Sequence, residues 1–127
     1  MRSIAGAIKR RVITYGIVEP ADYTASDIRL LDTKTVYRLS HRGEDLGEVE
    51  LVVPGLFNVY NSLATIAIGR ELGMDTDTIR AGLAAFTGVQ RRLELKGTAG
   101  GITVVDDYGH HPTEIKATLS AARQRWK

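Results

Sequence analysis

Ile102-Thr103-Val104-Val105-Asp106-Asp107-Tyr108-Gly109-His110-His111-Pro112-Thr113-Glu114-Ile115 is the stretch that decides how the chain is read. Residues 102–105 form a compact β-branched run, typical of a buried strand. Pro112 suits the first position of a helix, where a missing N–H is no loss. Between strand and helix lies a loop of Asp, Tyr and His. In open α/β sheets the place where a strand ends and a helix starts is the ligand crevice. Free backbone N–H groups and partial positive charge at the helix start suit an anion such as phosphate. Asp107 can accept hydroxyl hydrogen bonds from a ribose, Tyr108 can stack on a base, and His110 can position an amine or phosphate near neutral pH. The plainer reading is that Asp or His before Pro112 only caps the helix. The density of polar groups favours the ligand reading. Two adjacent His beside two Asp also raise a metal site, but ligands adjacent in sequence rarely point at one ion, so no metal site is expected.

Downstream, Ile115, Leu119, Ala122 and Trp126 recur at helical spacing and predict one apolar stripe, after which the chain stops at Lys127. A strand–loop–helix unit is completed by a second parallel strand. None follows, so the chain reads as cut in the middle of an α/β domain. Upstream, Gly100-Gly101 is a tight turn and 93–97 a strand candidate. Before it stands Arg91-Arg92, which can clamp a phosphate bidentately or lie in a solvated linker; the residues alone leave these readings balanced.

Further upstream the period is helical. Val59, Leu63, Ile66 and Ala67 predict a helix from Asn58 to Gly73, where Gly suits the C-terminal cap. Asp75 or Thr76 caps a second helix carrying Ile79, Leu83 and Phe86 and ending at Gly88. Asn58 and Asn61, three apart, face the same way, and their amides can read an adenine edge because an amide both donates and accepts. The plainer reading, Asn58 as N-cap with Asn61 as its capping-box partner, is preferred on these residues alone. Residues 12–15, 23–31, 35–41 and 47–53 are strand candidates, the last alternating Val49, Leu51 and Val53 with Glu48 and Glu50 after a turn at 42–45.

The composition excludes several classes. Length 127 allows one ordinary domain or parts of two. Lys and Arg exceed Asp and Glu by 17 to 15, too small an excess, in too scattered a pattern, for a nucleic-acid interface. Without Cys there is no disulfide and no Cys-ligated zinc, which fits a cytoplasmic setting. No apolar run reaches membrane-spanning length, and residues 1–11 are too basic for a signal peptide. None of the five lysines follows a Gly, so no P-loop phosphate cradle lies within the chain.

Three segments together resemble the MurC family of Mur ligases. Residues 106–115 resemble its D-D-Y-x-H-H-P-T-E-I signature, 88–94 its G-x-x-R-R-x-E segment, and 55–64 the Mur-ligase G-x-H-N-x-x-N-A-L-A segment. Tyr15-Gly16, Asp22-Tyr23 and Asp27-Ile28 are similar to the upstream part of the same domain. The resemblance covers essentially the whole chain. It implies an α/β fold: residues 1–88 as the end of a central ATPase domain, and 89–127 as the start of a Rossmann-like C-terminal domain.

The resemblance also implies an activity. The family joins L-alanine to UDP-N-acetylmuramate with ATP and Mg²⁺, through an acyl phosphate that the amine attacks. Asn58 and Asn61 match the pair near the adenine, with Asn61 the better candidate for direct contact. One of Arg91 and Arg92 would approach the phosphates, Asp107 the ribose and Tyr108 the nucleotide. His110 would lie near the incoming amino acid. The metal ligands, the P-loop and part of the amino-acid pocket would lie outside this chain, in the rest of the ligase, so the chain alone is expected to be inactive. Phe57 departs from the pattern, standing where the family carries His, and cannot hydrogen-bond. Two alternatives remain: a muropeptide-recycling ligase, against which Tyr108 counts because those relatives more often carry Phe there, and a non-catalytic nucleotide-binding module.

Overall fold

A computed structural model describes residues 7–31 and 33–126. Residues 1–6 of the stretch read above as no signal peptide, and Lys127, lie outside the described residues. The elements are β1 (Tyr15–Gly16), β2 (Tyr23–Leu30), β3 (Thr35–His41), β4 (Glu44–Leu51), α1 (Leu56–Glu71), α2 (Thr76–Ala85), β5 (Glu94–Ala99), β6 (Ile102–Asp106) and α3 (Pro112–Arg125). This is the α/β class expected.

Strands β1 to β4 form one sheet in sequence order, with β1 parallel to β2 and the remaining pairs antiparallel. The β3–β4 hairpin turns through Arg42 and Gly43 at φ 52° and 86°, the two left-handed residues of a turn matched to strand twist. Polar Glu44 and Asp45, read as turn, therefore already belong to β4. One sheet face and α1 make the core. Tyr37, Leu39, Val49 and Leu51 bury against Val59, Leu63 and Ile66, all 2% exposed or less, and each such side chain contributes about 1.5–3 kcal/mol. Inside that core Ser62 Oγ donates to the Val59 carbonyl at 2.8 Å, so the Tyr37 hydroxyl, 2.8 Å away, must donate to Ser62. Burial pushes the Tyr37 phenol up to about 12.

Helix α1 ends as its sequence predicts. Gly73 takes φ 83°, its N–H bonds the Arg70 carbonyl, and the Met74 N–H bonds the Gly69 carbonyl. Both bonds satisfy carbonyls that a helix end otherwise orphans. Asp75 caps α2 through the Thr78 N–H at 2.8 Å. Buried Gly69 lets α2 approach, since a Cβ there would meet Ile79 Cδ1 at 2.8 Å.

The second group differs from expectation. β5 and β6 form an antiparallel two-stranded ribbon. Ile102 and Val104 are 69% and 55% exposed, so β6 is not the buried strand its β-branched run predicts. Among the described residues a two-stranded ribbon supplies no second layer over that face. The stripe predicted for α3 is also displaced. Ile115 and Leu119 are exposed while Ala121 is 3% exposed, so the helix is turned by one residue and presents Glu114, Thr118, Ala121 and Arg125 inward.

Candidate functional site

A cleft of about 1320 Å³ runs between the α1–α2 pair and the β5–β6–α3 group. Its walls are largely apolar, and Asn58, Asn61, Arg92 and Asp107 all line it. Four of the residues singled out from sequence thus share one concavity, a few polar groups set in an apolar cleft, as in small-molecule sites. Arg91, Tyr108 and His110 do not line it.

The start of α1 is built differently from the capping arrangement preferred above. Gly55 is the N-cap, at φ 101° and without a side-chain cap. Asn58 sits one turn into the helix, and its Nδ2 donates to the Pro54 carbonyl at 2.7 Å. That bond fixes the amide, with Oδ1 facing Asn61, whose Nδ2 approaches at 3.4 Å. Asn61 is exposed, and while its backbone carbonyl accepts the Thr65 hydroxyl at 3.0 Å, its side-chain Oδ1 has capacity to accept from a ligand. The Phe57 ring folds back over Gly55, where a Cβ would lie 2.7 Å from it, and it lines the cleft as an apolar surface.

The two arginines part company. Arg92 lines the cleft. Arg91, at φ 58°, places its guanidinium over the Tyr108 ring, 4.9 Å from the centroid, with Nε 3.4 Å from Asp106. Its carbonyl accepts the Tyr108 N–H at 2.7 Å.

Asp107 ties the loop together. Its carboxylate accepts from the Leu93 N–H at 3.0 Å, the Gly109 N–H at 2.7 Å and the Thr118 hydroxyl at 3.0 Å. Of about four acceptor positions on a carboxylate, three are filled from within the chain. His111, not His110, caps α3: its Nδ1 accepts the Thr113 N–H at 3.3 Å. Glu114 completes the capping box by accepting from the His110 and His111 N–H groups, and those bonds hold its carboxyl below the usual range. The plainer reading therefore holds for His111. His110 is left with an exposed ring, its Nδ1 3.2 Å from the Tyr108 carbonyl and its edge on the Tyr108 ring at 5.2 Å.

Sequence reasoning passed over Thr113, Glu114, Thr118 and Arg125, which line the cleft from α3. Glu114, Thr118 and Arg125 lie on one helical face, but a polar one, and apolar periodicity does not reveal it. Among the described residues no three His, Asp or Glu side chains gather as a metal-holding group.

Comparison with known proteins gives the cleft its meaning. The Mur ligase middle domain family matches residues 1–69, and the family described as "Mur ligase, glutamate ligase domain" matches residues 91–127. The first match alone takes in more than half of the chain. The chain belongs to the Mur ligase family. The curated UDP-N-acetylmuramate–L-alanine ligase of Syntrophus aciditrophicus is 58% identical over 127 residues, all of this chain and 26% of that relative. Among solved structures, the UDP-N-acetylmuramate–alanine ligase MurC of Thermotoga maritima is similar at a TM-score of 0.81 and 33% identity, over 90% of this chain and 27% of that one. MurF of Acinetobacter baumannii is similar at 0.82 and 27% identity, over 97% and 26%. The chain thus spans about a quarter of the length of these relatives. Within this Mur ligase segment, Asn58 and Asn61 come from the middle-domain match and Arg92 and Asp107 from the other, so the cleft lies where the two matched regions face each other.

Proposed function

We propose that the chain is the ATP-holding joint of a UDP-N-acetylmuramate–L-alanine ligase, an amide-bond-forming enzyme of peptidoglycan synthesis. Residues 1–88 are the end of its central ATPase domain, and 89–127 the start of its Rossmann-like C-terminal domain. The observation that carries this is the shared cleft: two amides on one wall, and a guanidinium and a carboxylate on the other.

The residues fit a nucleotide. Asn61 offers an amide oxygen to an exocyclic amine and an amide N–H to a ring nitrogen. Arg92 offers a planar pair of donors to phosphate oxygens. Asp107 keeps one acceptor position for a ribose hydroxyl. Tyr108 and His110 project from the loop beside the cleft, where His110 can meet the amine of L-alanine and the muramoyl carboxylate. ATP supplies the phosphoryl group that activates that carboxylate. This chain's contribution is orientation and charge, most of what phosphoryl transfer asks of a protein. Among the described residues no carboxylate or imidazole group gathers to fit Mg²⁺, whose ligands would belong to the rest of the ligase. Among the described residues no helix is long and apolar enough to cross a membrane, and a cytoplasmic setting, where ATP and nucleotide sugars are available, suits the reaction.

The test is calorimetric titration of the 127-residue chain with ATP. Saturable binding, weakened about tenfold in Asn61→Ala, is expected for one lost charge-free bidentate contact. No binding at millimolar ATP would sink the reading. Turnover of ATP with both substrates by this chain alone would refute its role as a part of the ligase.

A further inference from the structure

We propose that Arg91 is a positioning residue that holds the Tyr108 ring in place for the nucleobase and touches no phosphate. The inference rests on the nucleotide reading of the cleft and assigns Arg91 and Arg92 different tasks.

Arg91 grips Tyr108 twice. Its carbonyl accepts the Tyr108 N–H at 2.7 Å, and its guanidinium lies 4.9 Å from the Tyr108 centroid. The guanidinium is held in turn by Asp106, 3.4 Å from Nε, and the Arg91 N–H is donated to the Glu94 carboxylate at 2.8 Å. Arg91 and Leu93 take φ 58° and 50°, a conformation that such side chains rarely adopt and that persists where the surroundings over-determine it. What over-determines it is the same loop, since the Leu93 N–H bonds Asp107 at 3.0 Å. This backbone turn separates the two arginines: Arg92 lines the cleft and Arg91 does not.

The consequence is a ring held from one side. A cation on one face of a tyrosine is held by the ring quadrupole and fixes the plane of the ring. Tyr108 stays 53% exposed, so the fixed ring keeps surface for a planar partner. His110 meets the same ring at 5.2 Å, and its placement follows from that of Tyr108. Lysine keeps the charge but not the planar guanidinium that rests over the ring and pairs with Asp106, so it holds the ring less well.

The experiment titrates the 127-residue chain and its Arg91→Lys, Arg91→Gly and Arg92→Ala variants with adenosine and with ATP, while NMR follows the Tyr108 ring protons. Arg91→Lys is expected to weaken both ligands by the same factor, about three- to tenfold, and to shift the Tyr108 ring resonances in the free chain. Arg91→Gly relieves the backbone at φ 58°, so it is expected to keep the melting temperature while losing affinity, separating the side chain's role from folding. Arg92→Ala is the contrast, its loss confined to ATP. An Arg91 variant that weakens ATP but not adenosine would make Arg91 a phosphate contact and overturn the proposal, as would unchanged affinity for both. If the parent chain binds neither ligand, the nucleotide reading itself fails, and the ring resonances alone judge the clamp: Tyr108 unmoved in both Arg91 variants overturns it.

Discussion

A methyl group on Gly55 would lie 3.3 Å from the Ala121 Cβ and 2.7 Å from the Phe57 ring. The start of α1 and the buried face of α3 therefore meet at a bare α-carbon. Gly55 also holds φ 101°. Gly55→Ala combines backbone strain with overpacking and is expected to cost about 1–3 kcal/mol. The check is the urea midpoint, which falls at unchanged slope. An unmoved midpoint would mean that Phe57 and Ala121 yield without cost.

Asp107 is predicted to be needed for the loop's shape before any ligand arrives. It accepts two backbone N–H groups and one hydroxyl. In Asp107→Asn one oxygen becomes an N–H donor, which must face a donor of the chain. A loss of about 1–3 kcal/mol follows for the donor left unsatisfied. Amide hydrogen exchange at Leu93 and Gly109 reports it, and equal protection in the variant would contradict it.

Tyr37→Phe removes the hydrogen bond to Ser62 in the core, at an expected cost of about 0.5–1.5 kcal/mol. It also changes the alkaline limb. The folded phenol sits near 12, and an unfolded one ionises near 10. Tyr37 therefore stabilises fully below pH 10, and this contribution is lost as pH rises towards 12. Stability against pH, followed by circular dichroism, is expected to fall less steeply over that window in the variant. Parallel curves would refute the assignment.

Asp22 contributes to the opposite limb. It accepts the Thr14 N–H and hydroxyl and is paired with Arg42, and the Thr14 bonds lead in lowering its carboxyl to about 2. A depressed carboxyl stabilises above its unfolded value, near 4, and the contribution is lost as pH falls through 2. Asp22→Asn is expected to flatten acid unfolding between those values. A variant as steep as the parent would assign that limb to other carboxylates.

The strands β2 and β3 were legible nearly to the residue, because they are rich in Thr, Val, Ile and Tyr, the residue types that fit a pleated, half-buried surface. β4 was read late at its start, since nothing in Arg42-Gly43 announces two left-handed residues. The strand–loop–helix order around residues 102–115 was legible too, from Pro112 and the β-branched run. The face of α3 was not. Ile115 and Leu119 make the more apolar stripe, yet the helix turns Glu114, Thr118 and Arg125 towards the cleft. Apolar periodicity finds cores, and this face borders a site. Arg91 and Arg92 are indistinguishable as letters; the backbone at φ 58° separates them. The Asn pair lies on the expected helix, and only the capping reading of it fails, because the N-cap is Gly55, whose cap carries no side-chain signal.

Among the described residues the walls of the cleft are joined through the crossing of residues 86–93 and approach each other where Ala121 faces Gly55. A molecule seated between the walls adds a tie to that joint. Occupancy then reads out as cooperativity. On heating, the empty chain is expected to melt in two overlapping steps, one wall ahead of the other, and the ATP-saturated chain in a single sharper one. Calorimetric traces of the same breadth with and without ATP would show that the walls already melt as one body.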